Sequence, residues 1–196
     1  VSGSIKIGDA DINEHIAEAR NSISVVFQDF GHYEDTLRSN ITISDKRRIS
    51  TDDEILELAR KTNTLDVIEA LPSGLDEQIG TFNKKARDLS GGQWQKISIT
   101  RAAYRKNANI MILDEPTAAL SGVEVERLFS VARALRDEGR ALMFISHRFD
   151  EVFDLCDTIT VMRDGSYVAT RPTESTNSAE IVKMMVGRDV NELFPK

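Results

Sequence analysis

An α/β fold with a mainly parallel sheet is predicted by three observations. Apolar runs at residues 22–27, 109–114 and 141–146 read as buried strands. Helix-period segments lie between them, and each strand ends at a polar residue: Gln28, the pair Asp114 and Glu115, or His147. Strands that alternate with helical crossovers pair in parallel, and open sheets of this kind bind ligands beyond the strand carboxyl ends. Pattern alone therefore gathers those four residues at one ligand-facing edge.

The elements follow in order. Residues 4–7 alternate like a strand, with Gly8-Asp9 as the turn after them. Residues 22–27 (SISVVF) are β-branched and mostly apolar. Residues 52–70 carry Ile55, Leu56, Leu58, Ala59, Leu65 and Ile68 at helical spacing, with a break near Asn63 and a stop at Leu71-Pro72-Ser73-Gly74. Residues 81–88 are a polar, basic loop, and 90–106 are helical. Residues 109–114 form a continuous apolar strand of the kind found at the centre of a parallel sheet. Residues 123–138 make the clearest amphipathic helix, with Val123, Leu128, Ala132 and Leu135 on one side and Gly139 as its end. After the buried strand at 141–146 comes a short helix at 149–155. Residues 158–162 and 166–170 then flank Arg163-Asp164-Gly165, a hairpin with a preferred Asp-Gly turn. A last helix is expected at 178–186, then an extended tail to Lys196.

Composition narrows the class. At 196 residues the chain is one domain or most of one, and 40% apolar with 29% charged residues suits a packed globule. A net charge of −7 argues against a general nucleic-acid binder, so no nucleic acid is expected as partner. The single cysteine, Cys156, excludes an internal disulfide and reads as a small apolar residue. No apolar run approaches the roughly 20 residues that cross a bilayer. The start, Val1-Ser2-Gly3, has no Met and no signal-peptide pattern, and reads as a cut start.

Two strings carry chemistry. Leu89-Ser90-Gly91-Gly92-Gln93 is a glycine-rich turn opening a helix. Ser90 caps it, the glycines let backbone N–H groups approach closely, and the helix dipole favours an anion there. Ile110 to Thr117 (IMILDEPT) is a buried strand ending in two carboxylates, suited to holding Mg²⁺ and activating a water. Adjacent strand residues point to opposite faces, so Asp114 and Glu115 are expected to have separate roles. Each string taken alone also fits an ordinary capped helix or an acidic strand end. The phosphate loop G-x-x-x-x-G-K-[ST] occurs nowhere in the sequence.

In this order the strings resemble the nucleotide-binding domain of ABC transporters: the LSGGQ signature, then the Walker B strand. Phe144-Ile145-Ser146-His147 resembles the family's switch region and Phe27-Gln28-Asp29 its Q-loop. The resemblance runs from Ile5 to about Gly165. It implies a P-loop NTPase-like fold, N-terminally truncated, as one partial domain over 1–196. A helical signature subdomain is expected at about 36–106, with a C-terminal hairpin and tail at about 157–196.

What the resemblance implies for the site is specific. ATP and Mg²⁺ are the cofactors. Ser90, Gly91, Gly92 and Gln93 bind the γ-phosphate of ATP held by an opposite subunit. Asp114 holds Mg²⁺ through water, and Gln28 contacts Mg²⁺ and the water at the ATP site. Glu115 is the general base, and His147 contacts the γ-phosphate and orients the water. The implied partners are a second ABC ATPase domain and a transmembrane transporter subunit, the latter facing the segment that includes residues 33–40. The implied location is the cytoplasmic face of a membrane. Trp94 reads as a packing residue.

The sequence departs from the family pattern in two places. Without the phosphate loop, the chain alone is expected neither to hydrolyse ATP nor to fold robustly, with unpaired sheet edges and exposed apolar surface. The family's Ala-Leu-Asp is Ala119-Leu120-Ser121 here, as in some sugar-import ATPases. Residues 36–41 and 71–76 are similar to exporter domains. Residues 147–153 and the tail look like sugar importers with two fused ATPase domains, and the tail favours import. The alternatives are an exporter-type domain, a soluble ABC ATPase, or a non-catalytic fragment that pairs with an intact ATPase domain.

Overall fold

The computed structural model describes residues 4–81, 86–118 and 120–187. The expected tail beyond 187 and residues 82–85 of the basic loop at 81–88 lie outside the described residues. The chain forms two compact units, Val1–Ile145 and Ser146–Lys196.

The first unit opens with a small antiparallel pair, β1 (Lys6–Ile7) and β2 (Ala10–Asp11), followed by α1 (Ile16–Ser22). Helix α1 escaped the periodicity reading because it buries no residue, so no apolar stripe marks it. Three parallel strands then make the sheet: β3 (Ile23–Val26), β6 (Ile110–Asp114) and β7 (Ala141–Ile145), in the order β3-β6-β7. The apolar 109–114 run is the central strand, as its composition predicts.

Register decides which side chains the sheet buries. Val26, Leu113 and Phe144 share one face, where Val26, Met111 and Leu113 are buried. Val25, Ile112 and Met143 share the other, where Val25, Phe27, Met143 and Ile145 are exposed. The expectation that 141–146 is a buried strand is corrected here. Strand β7 pairs with β6 alone among the described residues, and only its Leu142 and Phe144 face is partly covered. Exposed apolar surface on the sheet was expected, and it is present.

Between β3 and β6 the chain builds a helical layer. It comprises β4 (Asp35–Thr36), α2 (Leu37–Thr42), α3 (Asp52–Lys61), α4 (Leu65–Glu69), β5 (Gln78–Ile79) and α5 (Gly91–Tyr104), with β4 and β5 paired antiparallel. Thr51 and Glu54 form a reciprocal capping box at the start of α3. Asn63, in the left-handed region at φ 54°, breaks α3 from α4 where the sequence predicts a break. Leu37, Ile41, Ile55, Ile97 and Tyr104 fuse these helices into one apolar core.

Helix α6 (Gly122–Asp137) precedes β7 and sets Phe129 edge-on to Phe144, with ring centroids 5.9 Å apart. Its buried stripe is Val125, Leu128, Phe129, Val131, Ala132 and Leu135. Val123 was expected on that stripe and is instead 66% exposed. Five residues at 100° each put it about 140° around the helix from Leu128.

The second unit holds α7 (Phe149–Leu155), the antiparallel pair β8 (Thr158–Arg163) and β9 (Ser166–Pro172), and α8 (Ser178–Val186). Asp164 and Gly165 turn the hairpin with φ 52° and 74°, the doubly positive pair that an Asp-Gly type I′ turn supplies. Asn177 caps α8 by accepting from the Glu180 N–H at 3.1 Å.

Candidate functional site

The signature-like turn is built by local bonds. Ser90 is extended, and its Oγ accepts from the Gln93 N–H at 3.3 Å, while Gln93 Oε1 accepts from the Ser90 N–H at 2.9 Å. This capping box commits the Gln93 side chain to the turn itself. Gly91 and Gly92 lead the helix with their amide groups in the unbonded first turn, where an anion is favoured.

The two glycines differ in their surroundings. A Cβ on Gly92 would fall 2.6 Å from Glu124 Oε1, whereas one on Gly91 would meet nothing within 4 Å. Among the described residues no side chain or backbone atom requires glycine at 91.

The orientation of α5 places this turn. At its C-terminal end, Arg105 Nη1 donates to the Ile23 carbonyl, at the start of β3, at 3.3 Å. Near its N-terminal end, Trp94 stacks on His32, beyond the end of β3, with centroids 4.3 Å apart and ring planes 11° apart. The Ser90 turn therefore lies toward the carboxyl ends of the strands. Trp94 is buried, the packing role predicted for it.

Three of the expected polar residues gather at that edge. Strands β3 and β6 are parallel with Val26 opposite Leu113, so Gln28, exposed, and Asp114, half-buried, both follow at the carboxyl end. Glu115 comes next, with its N–H donating to the Ile145 carbonyl at 2.9 Å. Its φ is +43°, so the expected strict alternation of Asp114 and Glu115 does not hold: Glu115 has left the extended conformation. Pro116 and Thr117 behind it are buried. His147 lies in the second unit, exposed, two residues after β7 ends and ahead of α7.

Carboxylate and amide oxygens such as those of Asp114, Glu115 and Gln28 are hard donors that suit Mg²⁺, which keeps several waters and takes one or two carboxylates plus phosphate oxygens. No set of three or more His, Cys, Asp or Glu side chains among the described residues could hold a metal by itself. The donor set fits a metal shared with a phosphate rather than a protein-only cage.

Residues 1–118 match the family model described as ABC transporter. The chain belongs to the ABC transporter family, as an ATP-binding domain with a P-loop NTPase fold. Ribose import ATP-binding protein RbsA of Rhodococcus jostii is 38% identical over 203 residues, covering 100% of this chain and 38% of that protein. Its namesake in Geobacillus kaustophilus is 36% identical over 197 residues, covering 99% of this chain and 39% of that protein. A bacterial Atm1-family ABC exporter, solved with ATP bound, superposes with a TM-score of 0.75 at 28% identity, covering 89% of this ABC domain and 30% of the exporter chain. The domain thus spans well under half the length of these relatives. No helix among its described residues is long and apolar enough to cross a membrane.

The sequence missed Glu124, which stands against Gly92. The signal was available: Ser121 and Glu124 have the spacing of a capping box. Ser121 donates to Glu124 Oε2 from its N–H at 2.9 Å and from its Oγ at 2.7 Å.

Proposed function

We propose that this domain binds Mg·ATP together with a second ABC ATPase domain and drives solute import through a transmembrane partner, at the cytoplasmic face of the membrane. The observation that carries this reading is the pairing of the open Ser90-Gly91-Gly92 turn with Asp114 and Glu115 on one side of the sheet. Ser90, Gly91, Gly92 and Gln93 meet the γ-phosphate of a nucleotide seated on the opposing domain, chiefly through first-turn amides. Asp114 and Gln28 would hold the Mg²⁺, which would supply charge neutralisation to the phosphate oxygens. Glu115 takes the proton of the attacking water, and His147 orients that water and contacts the γ-phosphate.

The sequence supplies no G-x-x-x-x-G-K-[ST] loop, so the phosphates must be cradled by residues outside these 196. The solute is sugar-like: two relatives matched over essentially the whole chain carry the name ribose import ATP-binding protein. An exporter-type role is favoured by a separate observation, the likeness to the Atm1-family exporter and the exporter-like strings at 36–41 and 71–76.

The test is Mg·ATP hydrolysis and sedimentation, with the chain alone and mixed with an intact ABC ATPase domain, beside Glu115→Gln. The chain alone is expected to show no turnover and to join the intact domain only when ATP is present. Turnover by the chain alone that Glu115→Gln abolishes would remove the need for an external phosphate cradle. Association indifferent to ATP would overturn the shared-nucleotide reading.

A further inference from the structure

Helix α5 is held at both ends by β3 and by the segment that follows it. Its C-terminal end is tied to the start of β3 through Arg105 and the Ile23 carbonyl. Nearer its N-terminal end, residues 30–33 cross it as a strap. Trp94 and Arg101 are seven residues apart, which puts them about 10 Å apart along one face of the helix, and the strap is fastened to both. At Arg101 the hold is dense. The guanidinium donates from Nη1 to the Gly31 carbonyl at 3.0 Å, from Nε to the Asn40 carbonyl at 2.7 Å and from Nη2 to Asn40 Oδ1 at 3.1 Å. The Tyr33 ring lies over it, 4.6 Å from centroid to guanidinium carbon. Buried Asn40 closes on the Tyr33 backbone, accepting from its N–H at 3.3 Å and donating to its carbonyl at 2.8 Å.

At Trp94 the hold is one aromatic contact. The His32 imidazole stacks on the indole, and Phe30, which packs on the helical core, is tilted against the same imidazole at 5.6 Å. His32 is exposed and Trp94 is buried, so the imidazole covers the indole. The Trp94 N–H donates to the Ser90 carbonyl at 3.0 Å, which sets this stack one turn from Ser90.

We propose that His32 is a positioning residue for the signature turn: through Trp94 it braces Ser90, Gly91 and Gly92 against the strap, and so against the carboxyl edge of the sheet. This role rests on the proposed function, in which that turn meets a nucleotide on the opposing domain. Without the stack, the first turn of α5 loses the aromatic contact that ties it to the strap, while Arg101 and Arg105 still hold the rest of the helix. A turn that must be ordered before it meets a phosphate binds more weakly than one already in place.

The experiment compares the 196-residue chain with His32→Ser and His32→Phe, which remove and keep a ring over Trp94. Trp94 is the only tryptophan, so its emission reports the brace without nucleotide. His32→Ser is expected to red-shift that emission and strengthen acrylamide quenching, and His32→Phe to leave both near the unaltered values. Sedimentation with an intact ABC ATPase domain across an ATP series reports the turn. The ATP concentration for half-maximal pairing is expected to rise at least about threefold in His32→Ser and to hold steady in His32→Phe. A Trp94 signal that His32→Ser leaves unmoved, or pairing by His32→Ser at the ATP concentration the unaltered chain needs, would overturn the positioning role alone. No ATP-dependent pairing by the unaltered chain would overturn the shared-nucleotide reading and this role with it.

Discussion

The backbone N–H of Glu115 donates to the carbonyl of Ile145 at 2.9 Å, fastening the candidate base to the end of the neighbouring strand. The bond continues the β6–β7 ladder one residue past Asp114, although Glu115 itself is left-handed at φ +43°. A non-glycine residue there costs about 1–2 kcal/mol. Glycine relieves that cost at 115 but has nothing to relieve at the extended Asp114. Glu115→Gly is therefore expected to destabilise the chain less than Asp114→Gly, by about 1 kcal/mol. Urea unfolding followed by Trp94 emission checks this, since Trp94 is the only tryptophan.

The glycines of the signature turn give opposite signs. Gly91→Ala fills open space at the first helical position and reduces the freedom of the unfolded chain, so it should raise stability by a few tenths of a kcal/mol, up to about 0.5. Gly92→Ala must displace the Glu124 carboxylate and should forfeit that gain. Ser90→Ala removes the cap and should cost about 1 kcal/mol. Under the proposed function, Gly91→Ala also weakens ATP-dependent pairing. A variant more stable and yet poorer at pairing separates the interface role from folding; thermal melts beside sedimentation provide both readouts.

Two solvent-accessible carboxyls contribute to the acid side of the stability curve. Arg38 bonds the Asp52 carboxylate at 2.6 Å and holds its pKa below the usual range. The Ser121 hydroxyl, then the Ser121 N–H, do the same for Glu124. A depressed folded-state pKa stabilises the fold above the unfolded value, about 4 for these groups, and that contribution fades as pH falls through the folded value. Melting temperatures of the chain, Asp52→Asn and Glu124→Gln should differ at pH 7 and converge as pH drops below about 4. A gap that persists at low pH would place the effect in packing.

Sequence reasoning read the strands of the sheet, and the positions of Gln28, Asp114 and Glu115 at their carboxyl ends, because these rest on local pattern. The β6 run is continuously apolar, and the Asp164-Gly165 turn requires positive φ at both positions. The break at Asn63 and the cap at Ser90 are likewise local. Burial of β7 was misjudged because an apolar run does not say how many of its faces find partners. Glu115 was misjudged because strand alternation stops where the chain turns left-handed, and composition carries no φ. Helix α1 and the Glu124–Gly92 approach depend on contacts between segments distant in sequence or on a helix without an apolar stripe. Neither leaves a periodic trace.

The hydroxyls of Thr62, Thr64 and Thr100 form a buried cluster that locks the α3–α4 turn to α5. Thr100 Oγ1 lies 2.7 Å from both Thr62 Oγ1 and Thr64 Oγ1, and it donates to the Lys96 carbonyl at 2.9 Å. Thr62 also reaches the Leu58 carbonyl at 2.9 Å, and Thr64 the Lys96 carbonyl at 3.2 Å. All three residues are buried, so a hydroxyl deprived of its neighbour has no water to turn to. Thr100→Val keeps the shape and deletes the shared centre, and should cost about 1–3 kcal/mol. Thr100→Ser keeps the oxygen and loses a methyl, and should cost about 1 kcal/mol. Urea midpoints of the two variants check the order. Valine as mild as serine would mean the cluster holds the turn by packing alone.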